Sequence, residues 1–221
     1  MSFQRARSEE QREIRRRAIL DTAAAMLDEM PVAEVSLNEL SRRAGLAKSA
    51  LLRYFESREA VLLELLDASL LTWLVELSDE LAAGVDERLT AEQRANQLAE
   101  VLSRSLAARP VLCDLFGAQT AVLEHNITLA VALRHKHASM DALATMTDLV
   151  RRHLPELDDG AQMFCLHALI LAGALSAYCP PPAVVLDAYE ADPSLPRLSP
   201  DLRYALHQGL HAALLGTLPR L

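Results

Sequence analysis

The sequence predicts an all-α protein of about nine helices, an N-terminal three-helix helix-turn-helix head followed by a larger helical domain. Composition points there first: 51% of the 221 residues are hydrophobic, but only 4% are aromatic and 7 are Gly, and strands would draw on more Val, Ile, Thr and aromatics. Apolar residues then recur at helical spacing between N-cap and stop signals along nearly the whole chain. Finally, two short periodic segments meet at Gly45, a residue able to turn a chain sharply between helices. The length suits two domains, placed at 1–56 and 57–221.

The first seven or eight residues lack an apolar pattern and read as a disordered arm whose arginines could reach a minor groove. Helix one is expected over about 9–29, with Ile14, Ala18, Ile19, Ala23, Met26 and Leu27 inward. Ser36 N-caps the next, short helix, whose Leu37, Leu40 and Ala44 share a face. After Gly45 a second short helix starts near Ala47, with Leu46, Leu51 and Phe55 completing a three-helix core.

Lys48, Ser49, Ala50, Arg53 and Tyr54 then project away from that core. Together they offer a cation for phosphate, small side chains that admit a groove wall, a guanidinium able to fork onto guanine, and a phenol donor. The alternative for these residues alone is an ordinary helical hairpin with a solvated charged face.

Ser57 opens a long fourth helix through Val61, Leu62, Leu65, Leu66, Leu70, Trp73 and Leu77, stopped by Gly84. Thr90 and Gln93 form a capping box for a fifth helix over about 91–108, and Pro110 starts a short sixth that ends near Gly117 or Gln119. A long seventh helix carries Leu129, Leu133, Met140, Leu143, Met146, Leu149 and Val150 to His153. Asp158 or Asp159 is expected to cap the eighth, which runs through Phe164 to Tyr178 until Pro180-Pro181-Pro182 breaks it. Beyond it, 183–189 has room for a helical turn or two, and Ser199-Pro200-Asp201 starts the last helix, to about Leu215.

The net charge of −8 divides unevenly. Residues 1–60 hold 11 Lys and Arg against 10 Asp and Glu, while the remainder holds 11 against 20, so the acidity belongs to the second domain. Arg5, Arg7, Arg12, Arg15, Arg16 and Arg17 cluster as a cationic patch suited to phosphate. Cys113, Cys165 and Cys179 are too few and irregular for a disulfide framework or a Cys-x-x-Cys site and read as reduced, buried thiols.

Neither the His207/His211 pair nor His135 with His137 has a carboxylate completing a recognisable metal motif, and no Gly-rich phosphate loop or nucleophile elbow is present. The sequence therefore calls for no metal, no cofactor and no enzymatic activity. No run of 18 apolar residues is free of charge or strong polarity, and the Arg/Glu-rich N-terminus is no secretory signal, which predicts a cytoplasmic protein without a membrane partner.

The ordered segments 19–24, 35–40, 43–48 and 54–60, among them Val35-Ser36-Leu37-Asn38-Glu39-Leu40 and Tyr54-Phe55-Glu56-Ser57-Arg58-Glu59-Ala60, closely resemble the DNA-binding domain of tetracycline-repressor-type (TetR) transcriptional regulators. The likeness covers about 12–66; Ala47 departs from it by removing an N-cap hydroxyl before Lys48. The resemblance implies a homodimeric repressor that binds a double-stranded, palindromic operator and is released by a small-molecule inducer. DNA-binding candidates are Ser36, Leu37, Arg42, Arg43, Lys48, Ser49, Ala50, Arg53 and Tyr54. It further implies a ligand site between helices four and seven, for which the candidates are Trp73, Leu77, Leu102, Leu106, Phe116, Gln119, Leu123, Asn126, Met140 and Phe164. Residues 168–175 are hydrophobic nearly all round, so the eighth helix should meet a second subunit as well as its own domain. The candidate seam is Leu169, Ala172, Gly173, Leu206, Leu210 and Leu214, in a four-helix bundle of the kind the resemblance implies. The competing class is a helical interaction module whose head docks protein rather than DNA; steep salt dependence of duplex binding separates the two.

Overall fold

The computed structural model describes residues 2–179, 181–195 and 201–219, with side chains from residue 9 onward. Ten α-helices are present and no strand occurs among the described residues: α1 Ser2–Leu27, α2 Leu37–Arg43, α3 Lys48–Leu51, α4 Arg58–Gly84, α5 Ala91–Ala107, α6 Pro110–Ala118, α7 Leu129–His153, α8 Gly160–Ser176, α9 Ala183–Ala191 and α10 Leu202–Thr217. Helix α1 begins at Ser2, which corrects the disordered arm. A pattern of exposed polar residues cannot distinguish a solvated helix from a tail, and that is where the sequence reading failed.

The chain packs as two units, 1–69 with 118–139 and 70–117 with 140–221. The first unit keeps the opening turns of α4 and recruits the α6–α7 connection. Glu56 at the foot of α4 accepts the Thr128 backbone N–H at 2.6 Å and its hydroxyl at 2.8 Å, and Asp67 bonds His135 Nδ1 at 2.7 Å. That connection contains a five-residue π-helical segment, Gln119–Leu123.

In the second unit α10 packs mainly on α5 and also on α8. Trp73 on α4 is buried, its indole N–H donating to Ser105 Oγ at 2.9 Å on α5. Helices α6 and α8 approach closely at Gly117 and Gly173, where a Cβ on Gly173 would lie 2.6 Å from the Gly117 nitrogen. Burial pushes the Cys113 and Cys165 thiols up to about 12, so both stay protonated at neutral pH.

Several caps are as the sequence predicts. The Ser36 side chain accepts from Glu39 N, Ser57 Oγ from Ala60 N at 3.1 Å, and Thr90 with Gln93 closes a reciprocal box. Asp201 caps α10 by accepting from Tyr204 N, while Ser199, Pro200 and Pro180 lie outside the described residues. The eighth helix differs: neither Asp158 nor Asp159 caps it with a side chain, and Asp158 instead sits at φ 45° in the turn before it.

Candidate nucleic-acid interface

Helix α2 ends where Ala44 closes on Leu40 O. Gly45 then adopts φ 65°, its N–H reaching Arg42 O at 3.2 Å, and Leu46 N reaches Ser41 O at 2.9 Å. These paired bonds satisfy the last carbonyls of α2 and turn the chain with no Cβ in the way. Helix α3 follows at once. It has only four residues, and Ala47 provides no side-chain cap, as its methyl group dictates.

Two buried anchors set the rotation of α3: Leu51 at 0% and Phe55 at 4% exposure. With Leu51 inward, Lys48, Ser49 and Arg53 are exposed and Ala50 and Tyr54 half-buried. Among the described residues Lys48, Ser49 and Arg53 have no side-chain hydrogen bond or ion pair within the chain, so their donors face solvent. Ser36 is exposed at the head of α2 and Leu37 half-buried beside it. Leu52, 41% exposed, adds an apolar patch to this face that the sequence reading assigned no role.

The cations outside α3 behave differently. Arg16, placed by sequence in the phosphate patch, is corrected to a structural pin. It donates to the Tyr54 carbonyl at 2.6 Å, pairs with Glu64, and lays its guanidinium over the Phe55 ring at 4.3 Å. It therefore ties α1 and α4 to the end of the reading turn. Arg12, Arg15 and Arg17 are exposed, and the side chains of Arg5 and Arg7 lie outside the described residues. We expect Arg16→Ala to lower the stability of the first unit by about 1–3 kcal/mol, since charge-assisted bonds to a carbonyl and a carboxylate go together. Chemical denaturation checks it: an unchanged midpoint with a flatter salt slope for DNA binding would return Arg16 to the phosphate patch.

Arg42 and Arg43, the other backbone-contact candidates, both bind Glu39. Arg42 forks onto it with Nε at 2.9 Å and Nη2 at 2.6 Å, and Arg43 donates through Nε at 2.8 Å. These two guanidinium groups hold the Glu39 carboxyl down at about 2. Spacings of three and four on one helix made these pairs readable in the sequence, but the reading weighed only the cations.

The ten ligand candidates are divided between the two units. Gln119, Leu123 and Asn126 belong to the first unit and the other seven to the second. Trp73, Leu77, Leu102, Leu106, Leu123 and Phe164 are 2% exposed or less and serve as core, whereas Asn126 and Met140 are exposed. Phe116 is half-buried, and Gln119 is engaged by Glu124 at 2.9 Å and His135 at 3.1 Å. A cavity of about 1000 Å³ in the second unit lies elsewhere, lined by Gln93, Asn96, Glu156, His211, Leu215 and Leu218 among others, and by none of the ten.

Five of the six seam candidates are buried within the single chain. Leu206, Leu210 and Leu214 are fully buried within the unit, on the helix that packs against α5, and Ala172 is buried too. Gly173 is filled by the backbone of α6, and Leu169 is half-buried. The outward apolar residues are instead Met163, Leu166 and Ile170 on α8 and Tyr204 and Leu215 on α10. Periodicity locates an apolar stripe but does not say which neighbour covers it.

A seven-residue helix, a left-handed glycine and a short second helix with an unpaired cationic face make a helix-turn-helix of the kind DNA-binding regulators carry. The chain belongs to the TetR family: "Bacterial regulatory proteins, tetR family" matches residues 19–65, and "Tetracyclin repressor-like, C-terminal domain" matches 68–220. The HTH-type transcriptional regulator EthR of Mycobacterium tuberculosis is 46% identical over 50 residues, 23% of each chain. EthR of Mycolicibacterium smegmatis is 43% identical over 53 residues, 24% of each, so the chain aligns with about a quarter of the length of these curated relatives. Among solved structures, Thermus thermophilus FadR in complex with lauroyl-CoA superposes with a TM-score of 0.54 at 20% identity, over 93% of this chain and 96% of that one. Bacillus halodurans FadR gives 0.53 at 17% identity, over 91% and 95%. At such identities the likeness is one of fold. Among the described residues no single helix is long and apolar enough to cross a membrane.

Proposed function

We propose that this protein is a sequence-specific DNA-binding transcriptional regulator, a repressor acting as a homodimer on a palindromic operator and released when a small molecule binds its second unit. The observation that carries the reading is the free face of α3, where Lys48, Ser49 and Arg53 are exposed without partners among the described residues, on a head anchored by Leu51, Phe55 and Arg16. Lys48, Tyr54 and the start of α2 at Ser36 and Leu37 grip phosphates, while Ser49, Ala50 and Arg53 meet base edges. Arg42 and Arg43, the further candidates for the DNA backbone, are both paired with Glu39 in the free protein.

Pairing of two subunits through Met163, Leu166 and Ile170 of α8 and Tyr204 and Leu215 of α10 would bury side chains that are 38 to 62% exposed in one chain. A dimer then presents two heads to half-sites about 34 Å apart, one DNA turn. Two FadR relatives of this fold are described in complex with lauroyl-CoA and stearoyl-CoA, which supports a small-molecule ligand without naming the one used here.

Selection of bound sequences from a random duplex pool tests the reading, and a recovered palindrome is the expected result. On that sequence Arg53→Ala should cost about 1–3 kcal/mol and relax the preference at one base pair. Lys48→Ala should weaken all duplexes alike and flatten the log–log salt slope by about one. Binding that ignores salt, or a pool that yields no enriched sequence, defeats the proposal.

A further inference from the structure

Between residues 36 and 55 four cations, Arg42, Arg43, Lys48 and Arg53, accompany a single carboxylate, Glu39. Both of its oxygens are taken: Oε2 accepts Arg42 Nε at 2.9 Å, and Oε1 accepts Arg42 Nη2 at 2.6 Å and Arg43 Nε at 2.8 Å. The two arginines are not equivalent. Arg43 is 26% exposed and is held a second time, by Glu29 at 2.7 Å, whereas Arg42 is 72% exposed and, among the described residues, pairs with Glu39 alone. A two-pronged grip of guanidinium on carboxylate is also the geometry in which arginine takes a phosphate.

We propose that Glu39 is an internal phosphate surrogate: it occupies the Arg42 fork in the free protein and must yield it to a DNA phosphate on docking, while Arg43 stays tied to α2 and to Glu29 in the turn after α1 as a positioning residue. The inference rests on the DNA-binding reading of this head and names how that binding is regulated. Non-specific affinity is almost wholly the electrostatic gain of neutralising phosphates. A carboxylate that must be displaced first subtracts from that gain on every sequence, and its own charge repels the backbone. Base-edge contacts from Arg53 and Ser49 are untouched, so Glu39 lowers affinity for all duplexes alike and leaves discrimination between sequences to those contacts. An exposed ion pair is held only weakly, which is what an exchangeable contact needs.

The full-length protein and a labelled duplex of random sequence test this across about 50–200 mM salt. Glu39→Gln should bind roughly three- to tenfold tighter at the low end and steepen the log–log slope by about one per head. Arg42→Gln in that background should remove the gain. If wild type binds with a steep salt slope but Glu39→Gln binds equally or more weakly, Glu39 orients Arg42 for DNA and the proposal is overturned. Wild type failing to bind duplex in a salt-dependent way overturns the DNA-binding reading instead, a separate outcome. Should Glu39→Gln lose helix content, Glu39→Asp decides. It keeps the negative charge in the first turn of α2 but is too short to hold both arginines, so it should tighten binding by a smaller factor, and no gain sinks the idea.

Discussion

Replacing Trp73 with Ala is expected to lower the stability of the second unit by about 3–5 kcal/mol, the range for removing a fully buried tryptophan. Trp73 is 1% exposed, and its indole N–H donates to Ser105 Oγ at 2.9 Å. That hydroxyl also accepts Arg109 Nη1 at 2.9 Å, and Arg109 pairs with Glu76 and, at 3.1 Å, with Glu80 of α4. The indole therefore fills space between α4 and α5 and also closes a polar chain that would otherwise end in a buried hydroxyl. Two terms add on truncation: a large cavity and an unmade hydrogen bond. Trp73→Phe separates them. It keeps most of the volume and loses the N–H, and should cost about 1 kcal/mol through the bond alone, plus whatever the smaller ring fails to fill. Urea unfolding monitored by helix content measures both. A Trp73→Ala loss under about 1 kcal/mol would mean the site collapses onto the space, contrary to a well-packed α4–α5 contact.

Trp73 also shows where reading from sequence alone stopped. It was a candidate to line a ligand site because it is a large apolar residue with a polar handle, and the same description fits a core tryptophan with one partner. Only the position of Ser105, 32 residues away, decides between them. Where the deciding partner is close in sequence, the structure agrees with the sequence reading: Gly45 as the left-handed stop, the Thr90–Gln93 box and the Asp201 cap each involve residues within a few positions of one another. Where it is distant, local pattern does not reveal it. Arg16 looks like any arginine in a basic run until Tyr54 and Glu64 are brought beside it, 38 and 48 positions on. The same holds for 118–139, which joins the first unit because Thr128 finds Glu56, 72 positions earlier.

A final pair of substitutions sets the buried and exposed faces of the last helices against each other. Leu210→Ala should cost the folded subunit about 2–5 kcal/mol, because Leu210 is 0% exposed on a helix that packs mainly on α5, with Leu206 and Leu214 equally buried on the same stripe. The loss should persist at every protein concentration. Ile170→Glu should act differently, since Ile170 is 59% exposed and its side chain has little core to leave. A carboxylate there would be desolvated only if a second subunit covers α8, so the expected effect is a shift from dimer to monomer mass in sedimentation. The unfolding midpoint should also stop rising with protein concentration, because mass action no longer contributes. The opposite pattern, Leu210→Ala giving a stable monomer while Ile170→Glu stays dimeric, would return the seam to Leu206, Leu210 and Leu214 and require those leucines to leave α5.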